Sequence, residues 1–423
     1  MTSTCIIVGA SHAGAELAFT LRKEGWEGPI VVIGNEQYLP YHRPPLSKNF
    51  LVTDQDVNDV LIRKADFFEK FNISFRLGTH VRDIDRLNKA VTLSNGETLS
   101  YQKLALCTGS RVRKVTVPGC DLRGMYYLRN IDDVLAIKSA VKRNGKAVIV
   151  GGGYIGVELA GILNGLGVET HLIYRGNQLL KSFDSDCCAK VTEGMIKKGV
   201  KVTLDTNVSS ITKCQEQLNI NLDSGSSITA DMVLYATGRQ ANTEGLGLEN
   251  TKVTLNDRKA IMVDENYCTS EPSIYAIGDV IDRVQLTPIA IKQAMVLINH
   301  LYADDTAKLD YTNIPTAVFS QPEFATVGLT EAQAKQQYTD IAVYRSDFKP
   351  MFDTLGQGSD RTFMKMIVNK TNDRVIGCHM VGHHAAEIIQ GVAIAIKAGA
   401  TKSHFDSTIG IHPSTAEELV TIK

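Results

Sequence analysis

The chain has 423 residues, which exceeds one ordinary hydrophobic core and predicts two or three domains. Its 45 Lys and Arg residues balance 46 Asp and Glu residues, which excludes the strongly basic field that draws proteins onto nucleic acid or anionic lipid. Because the N-terminus has no signal-peptide pattern and no run of about 18 apolar residues could span a bilayer, we expect a cytoplasmic protein with small-molecule chemistry and neither nucleic acid nor membrane as a partner.

A short apolar run at residues 4–9 ends in glycine and is followed by a helical pattern, which is the order strand, tight turn, helix. Gly9, Ser11 and Gly14 occupy the three glycine positions of the fingerprint G-x-G-x-x-G, with serine at the second position. Glu36 follows about 20 residues later, at the end of the next predicted strand, where an acid can hold a ribose hydroxyl. This context predicts a βαβ unit that binds a dinucleotide.

The same order recurs from Lys146, and there Gly151, Gly153 and Gly156 satisfy the fingerprint fully. The helix that follows would offer unpaired N–H groups to a second pyrophosphate. Beyond the next predicted strand, the chain presents Arg175 and Lys181 where an NAD enzyme would present a carboxylate. These cations could grip a 2′-phosphate, which favours NADPH over NADH; the alternative is two solvated surface cations.

From residue 311 onward the pattern changes to alternating strands at residues 316–319, 341–344, 363–368 and 375–381, with an Ala- and Ile-rich helix at 385–398. This order predicts a third domain of the α+β class. The βαβ pattern occurs twice in the sequence. This duplication predicts two doubly wound domains before the third domain.

Over essentially its whole length the chain resembles the two-dinucleotide flavoproteins of the pyridine nucleotide-disulfide oxidoreductase superfamily. The first 110 or so residues are similar to ferredoxin and rubredoxin reductases, through Gly25-Trp-Glu-Gly-Pro, Tyr41-His-Arg-Pro-Pro-Leu-Ser-Lys48 and Leu106-Cys-Thr-Gly109. From about residue 146 the chain is similar to glutathione reductase. The matches there include Gly153-Tyr-Ile-Gly-Val-Glu-Leu-Ala-Gly, Tyr235-Ala-Thr-Gly-Arg239, Tyr275-Ala-Ile-Gly-Asp279 and Ile411-His-Pro-Ser-Thr-Ala-Glu-Glu418. Such a change of resemblance within one chain is also the pattern of a recombined or engineered protein.

The resemblance implies FAD and NADPH, or NADH, as cofactors. It places Asp279 on the flavin ribityl chain, Thr287 near the pyrimidine edge of the isoalloxazine, and Tyr154 over the empty nicotinamide pocket. It also pairs Lys48 with Glu158 beside the flavin N5, where the pair could offset charge as hydride arrives; the alternative for Glu158 is a polar helix residue. The other residues expected at FAD are Gly9, Ser11, Gly14, Glu36, Arg43, Thr108, Gly109 and Gly278, and those expected at the nicotinamide nucleotide are Gly151, Gly153, Gly156, Arg175, Lys181, Thr237 and Gly238.

The two similar families differ in the step that comes after hydride transfer. Glutathione reductase passes electrons to a C-x4-C disulfide, with a His and a Glu of the partner subunit as acid and orienter, and His412 and Glu417 stand at those positions. The eight cysteines of this chain lack C-x-x-C and C-x4-C spacing, which argues against a zinc site or any other metal centre. Without a thiolate at the flavin, thiol exchange has no attacking atom.

We therefore expect direct electron transfer from the flavin to an iron-sulfur ferredoxin or a rubredoxin. One alternative is a glutathione-reductase-like protein that lacks the redox disulfide, retains residual NADPH oxidation and uses His412 structurally. Another is a nicotinamide-sensing flavoprotein that resembles the apoptosis-inducing factors.

The expected fold class is α/β, with two doubly wound dinucleotide-binding domains and a C-terminal α+β dimerisation domain that would make the protein a homodimer. The expected FAD domain covers residues 1–117 and resumes at 243–310. The expected NAD(P) domain covers residues 118–242, and the expected dimerisation domain covers residues 311–423.

Overall fold

The computed structural model describes residues 3–302, 308–351 and 360–423. Its first unit is built on a parallel five-stranded sheet with the strands, in spatial order, Ile274–Ala276, Lys103–Leu106, Cys5–Val8, Ile30–Ile33 and Ile73–Arg76. The central strands are continuous apolar runs, as a parallel sheet covered on both faces requires. The other elements of this unit are the helices His12–Lys23, Asn49–Val52, Ala65–Lys70 and Thr287–Tyr302, and an antiparallel sheet of Val81–Asp85, Ala90–Leu93 and Thr98–Ser100.

The second unit repeats this plan. Its parallel sheet has the spatial order Lys201–Thr203, Glu169–Ile173, Lys146–Val150, Met232–Tyr235 and Met125–Tyr126. It also contains the helices Ile131–Ala140, Tyr154–Gly165 and Ser185–Lys197 and an antiparallel sheet of Val208–Cys214, Gln217–Leu222 and Ser227–Ala230. The predicted pair of doubly wound units is thus confirmed.

An antiparallel ribbon joins the two units, with strand Ser110–Val112 paired to strand Arg239–Ala241. The chain leaves the first unit along one strand of the ribbon and returns along the other. After that return, strand Ile274–Ala276 pairs with strand Lys103–Leu106 at the edge of the first sheet. The first unit is therefore assembled from two segments that flank the second.

The third unit is an antiparallel sheet in the spatial order Thr316–Val318, Phe324–Gly328, Arg374–Val381, Thr362–Asn369 and Ile341–Phe348. Its helices are Glu331–Gln337, Ala385–Lys397, Lys402–Ser407 and Glu418–Thr421. The predicted α+β class is confirmed, although the sequence patterns did not predict the strand Phe324–Gly328. Within residues 3–302, 308–351 and 360–423, no helix combines the length and apolarity needed to cross a bilayer.

Every residue of strand Thr362–Asn369 is buried because both faces of the sheet are covered. Met364 and Met366 pack into the core of the third unit. Phe363, on the opposite face, belongs to an apolar cluster that the third unit shares with the second. This arrangement attaches the third unit firmly to the second.

A group of charges with a buried centre, Lys365 and Asp184, crosses the same contact between units. The side chain of Lys365 is fully buried, and its Nζ lies 2.8 Å from carboxylate oxygens of Asp184, Asp186 and Glu331. Burial alone would lower the pKa of Lys365, but hydrogen bonds to the three carboxylates outweigh it and raise that pKa above its usual value. Arg345 adds a second cation, 2.8 Å from Asp186. The paired charges make the burial tolerable.

His379 lies fully buried in the neighbouring strand, with its Nε2 3.0 Å from the carbonyl oxygen of Leu329 and its Nδ1 2.5 Å from the hydroxyl of Thr326. Because a carbonyl can only accept, Nε2 donates and Nδ1 accepts from Thr326, so both ring nitrogens are satisfied by the neutral imidazole. Burial, the largest cause, lowers the pKa of His379 from 6.5 to about 4.

This pKa predicts acid destabilisation. As the pH falls from about 6.5 to about 4, His379 becomes protonated in the unfolded chain but stays neutral in the folded chain. The free energy of unfolding therefore decreases across this window. We expect a His379→Gln variant to show a shallower decrease than the parent protein. Urea midpoints measured at intervals of pH would test this, with the exposed His404→Gln as the control. Equal slopes in the His379→Gln variant and the parent would contradict the prediction.

Candidate functional site

Two adjoining cavities lie at the carboxyl ends of the parallel strands of the first unit, with volumes of about 320 and 440 Å³. They share Ser11, Arg43, Cys107 and Arg129 in their walls. A cleft at this edge of a doubly wound sheet is where nucleotides bind in such folds. The walls include most of the residues predicted at FAD, namely Gly9, Ser11, Glu36, Arg43, Lys48, Thr108, Gly109, Gly278, Asp279 and Thr287.

The first fingerprint forms the turn between strand Cys5–Val8 and helix His12–Lys23. Gly9 has a φ of 122°, and a Cβ there would lie 2.1 Å from the carbonyl oxygen of Cys107, so a side chain cannot fit. Ser11 is the N-cap of the helix, accepting from the N–H of Gly14 at 3.4 Å and donating to the carbonyl oxygen of Cys107 at 3.2 Å. The serine thus fills the second glycine position with a cap, and Gly14 is buried in the first helical turn behind the cavity.

The 440 Å³ cavity has the predicted acid in its wall. Glu36 accepts hydrogen bonds from the hydroxyl of Tyr41 at 2.5 Å and from the guanidinium of Arg43 at 2.7 Å. Each carboxylate oxygen keeps a further lone pair, so Glu36 can still accept from ribose hydroxyls. Thr108 lies in the same wall and donates to the carbonyl oxygen of Asn242 at 2.7 Å.

Three arginines meet where the two cavities join. Arg43 and Arg129 line both cavities, Arg239 lines the smaller one, and Arg43 donates to the carbonyl oxygen of Arg129 at 2.8 Å. Burial, followed by the charges of Arg43 and Arg239, lowers the pKa of Arg129 to about 10. Arg43 and Arg129, which line both cavities, place cationic donors that fit a diphosphate, so the cleft suits FAD. Sequence reasoning missed Arg129 and Arg239 as site residues, although Arg239 ends the Tyr235-Ala-Thr-Gly-Arg239 motif.

Asp279 and Thr287 lie farther along the 320 Å³ cavity, beside Gly278. One carboxylate oxygen of Asp279 accepts from the hydroxyl of Ser110 at 2.8 Å and from Arg239 at 3.0 Å. Thr287 begins helix Thr287–Tyr302, whose N-terminal end carries partial positive charge toward the cavity wall. The carboxylate of Asp279 can accept hydrogen bonds from hydroxyl groups, which suits the ribityl chain of FAD. The helix N-terminus at Thr287 can stabilise an electron-rich ring edge, which suits the isoalloxazine.

The structure brings Lys48 and Glu158 together at the 320 Å³ cavity, with 3.0 Å between the Lys48 Nζ and the Glu158 carboxylate. Glu158 is 3% exposed and also accepts from the hydroxyl of Ser47 at 2.8 Å and from the main-chain N–H of Phe319 at 3.1 Å. The Lys48 ammonium lies 4.7 Å from the centroid of the Phe319 ring. Residues of all three units therefore fix this ion pair, which a solvated helix glutamate would not form.

The second fingerprint mirrors the first at the start of helix Tyr154–Gly165. Gly151 has a φ of 132°, and a Cβ there would lie 2.3 Å from the carbonyl oxygen of Ala236. Tyr154 lines the 320 Å³ cavity, and its hydroxyl accepts from Arg239 at 2.6 Å. The other residues predicted at the nicotinamide nucleotide lie outside the walls of both cavities, namely Gly151, Gly153, Gly156, Arg175, Lys181, Thr237 and Gly238.

Arg175 and Lys181 are exposed, beyond the strand that follows the second fingerprint. If they bind a 2′-phosphate, we expect Arg175→Glu with Lys181→Ala to lower the ratio of NADPH to NADH kcat/KM by roughly 100-fold, because two charge-assisted contacts are lost. Steady-state kinetics with each nucleotide would measure the ratio. The exposed Lys213→Ala in the same unit is the control. A ratio that does not fall would assign the two cations to the solvated surface.

His412 and Glu417 form a pair near the C-terminus, with 3.0 Å between the His412 Nδ1 and the Glu417 carboxylate. The His412 side chain is 69% exposed, and the pair lies outside the walls of both cavities. Ile409 and Ile411 beside it are also exposed. Within one chain, therefore, the pair does not reach the Lys48 and Glu158 site.

All eight cysteines lie among the described residues, and all are free thiols. Cys107 is the one cysteine in the walls of the two cavities. Burial raises the pKa of the Cys107 thiol well above its usual value, so it stays protonated at neutral pH. The cleft thus contains no pair of thiols and no thiolate that could act on a disulfide.

Comparisons with known proteins identify the family of the chain. Residues 3–294 match the family model for pyridine nucleotide-disulphide oxidoreductases, and residues 314–422 match that family's dimerisation domain. Glutathione reductase of Burkholderia cepacia is 41% identical over 328 residues, covering 78% of this chain and 71% of that protein. Glutathione reductase of Nostoc sp. is 42% identical over 347 residues, covering 78% and 74%.

Two solved structures extend the likeness to the whole chain. The HOCl-induced flavoprotein disulfide reductase RclA from Escherichia coli has a TM-score of 0.87 and 25% identity, covering 99% of each chain. A reductase from a covalent putidaredoxin reductase–putidaredoxin complex has a TM-score of 0.80 and 25% identity, covering 99% of this chain and 98% of that one. The fold is thus shared by a flavoprotein disulfide reductase and by a reductase in a covalent complex with putidaredoxin.

Proposed function

The chain belongs to the pyridine nucleotide-disulphide oxidoreductase family, whose cofactors are FAD and NAD(P)H, and we propose that it passes electrons from the flavin directly to an iron-sulfur ferredoxin or a rubredoxin, without a redox disulfide. The observation that carries this proposal is the Lys48 and Glu158 pair at a cavity without a pair of cysteines. The ion pair supports hydride transfer to the flavin, and the absence of a cysteine pair from the cavity walls argues against a thiol relay.

When bound, FAD accepts two electrons from the nicotinamide and can release them singly. Lys48 contributes a positive charge at the cavity wall, where it stabilises negative charge that develops beside it. Glu158 holds the Lys48 ammonium in place, because Ser47 and the N–H of Phe319 fix its carboxylate. Arg43 and Arg129 would hold the diphosphate of FAD at the junction of the cavities.

Two observations support an iron-sulfur acceptor. Residues 1–110 resemble the ferredoxin and rubredoxin reductases, and the putidaredoxin reductase chain is matched over nearly its full length.

We propose an FAD domain of residues 1–117 and 243–310, an NAD(P) domain of residues 118–242 and a dimerisation domain of residues 311–423. We also propose that the third unit forms a homodimer, as its family model implies.

A second candidate is a protein similar to glutathione reductase that lacks the redox disulfide and oxidises NADPH slowly with oxygen or quinones. The His412 and Glu417 pair favours it, since the pair matches the acid and orienter of that family. The high identity to glutathione reductases points the same way.

The two candidates differ in their acceptor. NADPH oxidation by the purified holoenzyme would be followed with a [2Fe–2S] ferredoxin plus cytochrome c, with a rubredoxin, with oxidised glutathione and with oxygen alone. We expect turnover with an iron-sulfur protein at least about tenfold faster than with oxygen, and none with oxidised glutathione. Turnover with oxygen alone would favour the second candidate, and reduction of oxidised glutathione would overturn both.

A further inference from the structure

Arg239 occupies an unusual place between the two cofactor sites. It begins strand Arg239–Ala241 of the ribbon that joins the first and second units, opposite Val112 in the partner strand. Its side chain is 13% exposed and lines the 320 Å³ cavity. A guanidinium held by this ribbon can reach residues of both units.

The guanidinium bonds one residue from each site. One nitrogen donates to the hydroxyl of Tyr154 at 2.6 Å, and the other donates to the carboxylate of Asp279 at 3.0 Å. Tyr154 begins the helix of the second fingerprint, whereas Asp279 belongs to the first unit. Ser110, in the partner strand of the ribbon, donates to the same Asp279 oxygen at 2.8 Å.

The planar guanidinium carries its donors at fixed angles. While Asp279 holds one nitrogen, the other nitrogen is therefore aimed at the Tyr154 hydroxyl, and a displacement of the Tyr154 ring breaks that bond. This hydrogen bond is solvent-exposed but charge-assisted, so breaking it without replacement carries a modest cost in free energy. Arg239 thus favours the position of Tyr154 seen here.

We propose that Arg239 is a positioning residue that latches Tyr154 over the nicotinamide pocket and anchors this latch to Asp279 at the FAD site. The inference rests on the proposed function, because it takes the cavity as shared by flavin and nicotinamide. Nucleotide entry displaces Tyr154 and breaks its bond to Arg239, so the latch lowers the affinity for nucleotide. The bond to Asp279 meanwhile keeps that carboxylate oriented toward FAD.

A double-mutant cycle on NADP⁺ binding tests the latch. The binding constant would be measured by titration calorimetry on FAD-loaded parent protein, Tyr154→Phe, Arg239→Gln and the double variant. We expect Tyr154→Phe to tighten NADP⁺ binding roughly threefold to tenfold in the parent, the factor that one hydrogen bond is worth, and to change nothing in the Arg239→Gln background. The same factor in both backgrounds, or no change in either, would overturn the latch.

Retention of FAD tests the anchor. We expect Arg239→Gln to raise the FAD dissociation constant about tenfold, measured by the fluorescence of released FAD, and Arg239→Lys to recover part of the loss. Ser110→Ala is the matched control, because it removes a hydrogen bond to Asp279 without touching Tyr154; it should weaken FAD but leave NADP⁺ affinity unchanged. Unaltered FAD affinity in Arg239→Gln would overturn the anchor. Bleaching of the parent protein by NADPH tests the proposed function separately from either result.

Discussion

Replacing Lys48 with alanine is expected to slow reduction of the bound flavin by NADPH roughly 100- to 1,000-fold, the usual cost of removing a preorganised charge from a reacting centre. Lys48 lies in the wall of the 320 Å³ cavity, and its ammonium is fixed by Glu158 and by the Phe319 ring. Anaerobic stopped-flow bleaching at saturating NADPH would measure the rate. Lys48→Arg, which keeps the charge, should lose less.

Glu158→Gln separates the lysine from its counter-charge. The amide keeps the shape of the side chain and can still accept from Ser47, but the Lys48 ammonium loses its ion pair. We expect about a tenfold slower reduction, because Lys48 is then less firmly placed. The FAD content of each variant and the exposed Lys64→Ala serve as controls. If FAD binding falls as much as the rate in Lys48→Ala, that residue acts in cofactor retention instead.

Replacing Lys365 with methionine is expected to lower the free energy of unfolding by about 3–5 kcal/mol. The substitution leaves the buried carboxylate of Asp184 and those of Asp186 and Glu331 without their shared cation. Since these charges join the second and third units, the third unit should separate from the rest first.

Urea unfolding monitored by far-UV circular dichroism would measure the loss. Lys370→Met is the matched control, because Lys370 lies just beyond the same strand, is half exposed and pairs with Asp340 at 3.0 Å. An exposed pair of this kind contributes about 0–1 kcal/mol. A loss for Lys365→Met no larger than that of Lys370→Met would show that the ion pairs of Lys365 contribute little to stability.

Local patterns predicted the parts of the fold that depend on local chemistry. Both fingerprints predicted their turns because a side chain at Gly9 or Gly151 would collide with a neighbouring carbonyl. The third unit was predicted from alternating strands, but its strand Phe324–Gly328 was missed. One of its two neighbours, Arg374–Val381, lies far away in the sequence, so the pairing leaves no local pattern to recognise.

The positions of two cations, one at the contact between units and one at the cavities, were harder to predict. Lys365 stands in an alternating strand pattern that would normally place lysine in solvent, and its partner Asp184 lies 181 residues away in the chain. Arg129 carries no motif signal that we recognised, and its place at the junction of two cavities depends on the packing of the first and second units. By contrast, the resemblance to known flavoproteins was enough to pair Lys48 with Glu158 from the sequence alone.

Anaerobic titration of the holoenzyme with NADPH tests most directly whether electrons stop at the flavin. We expect the flavin absorption band at about 450 nm to bleach fully at about one equivalent of NADPH per FAD, followed by rapid reoxidation with ferredoxin or rubredoxin and none with oxidised glutathione. Uptake of about two equivalents per FAD, or reoxidation by oxidised glutathione, would reveal a thiol relay and contradict direct transfer from the flavin.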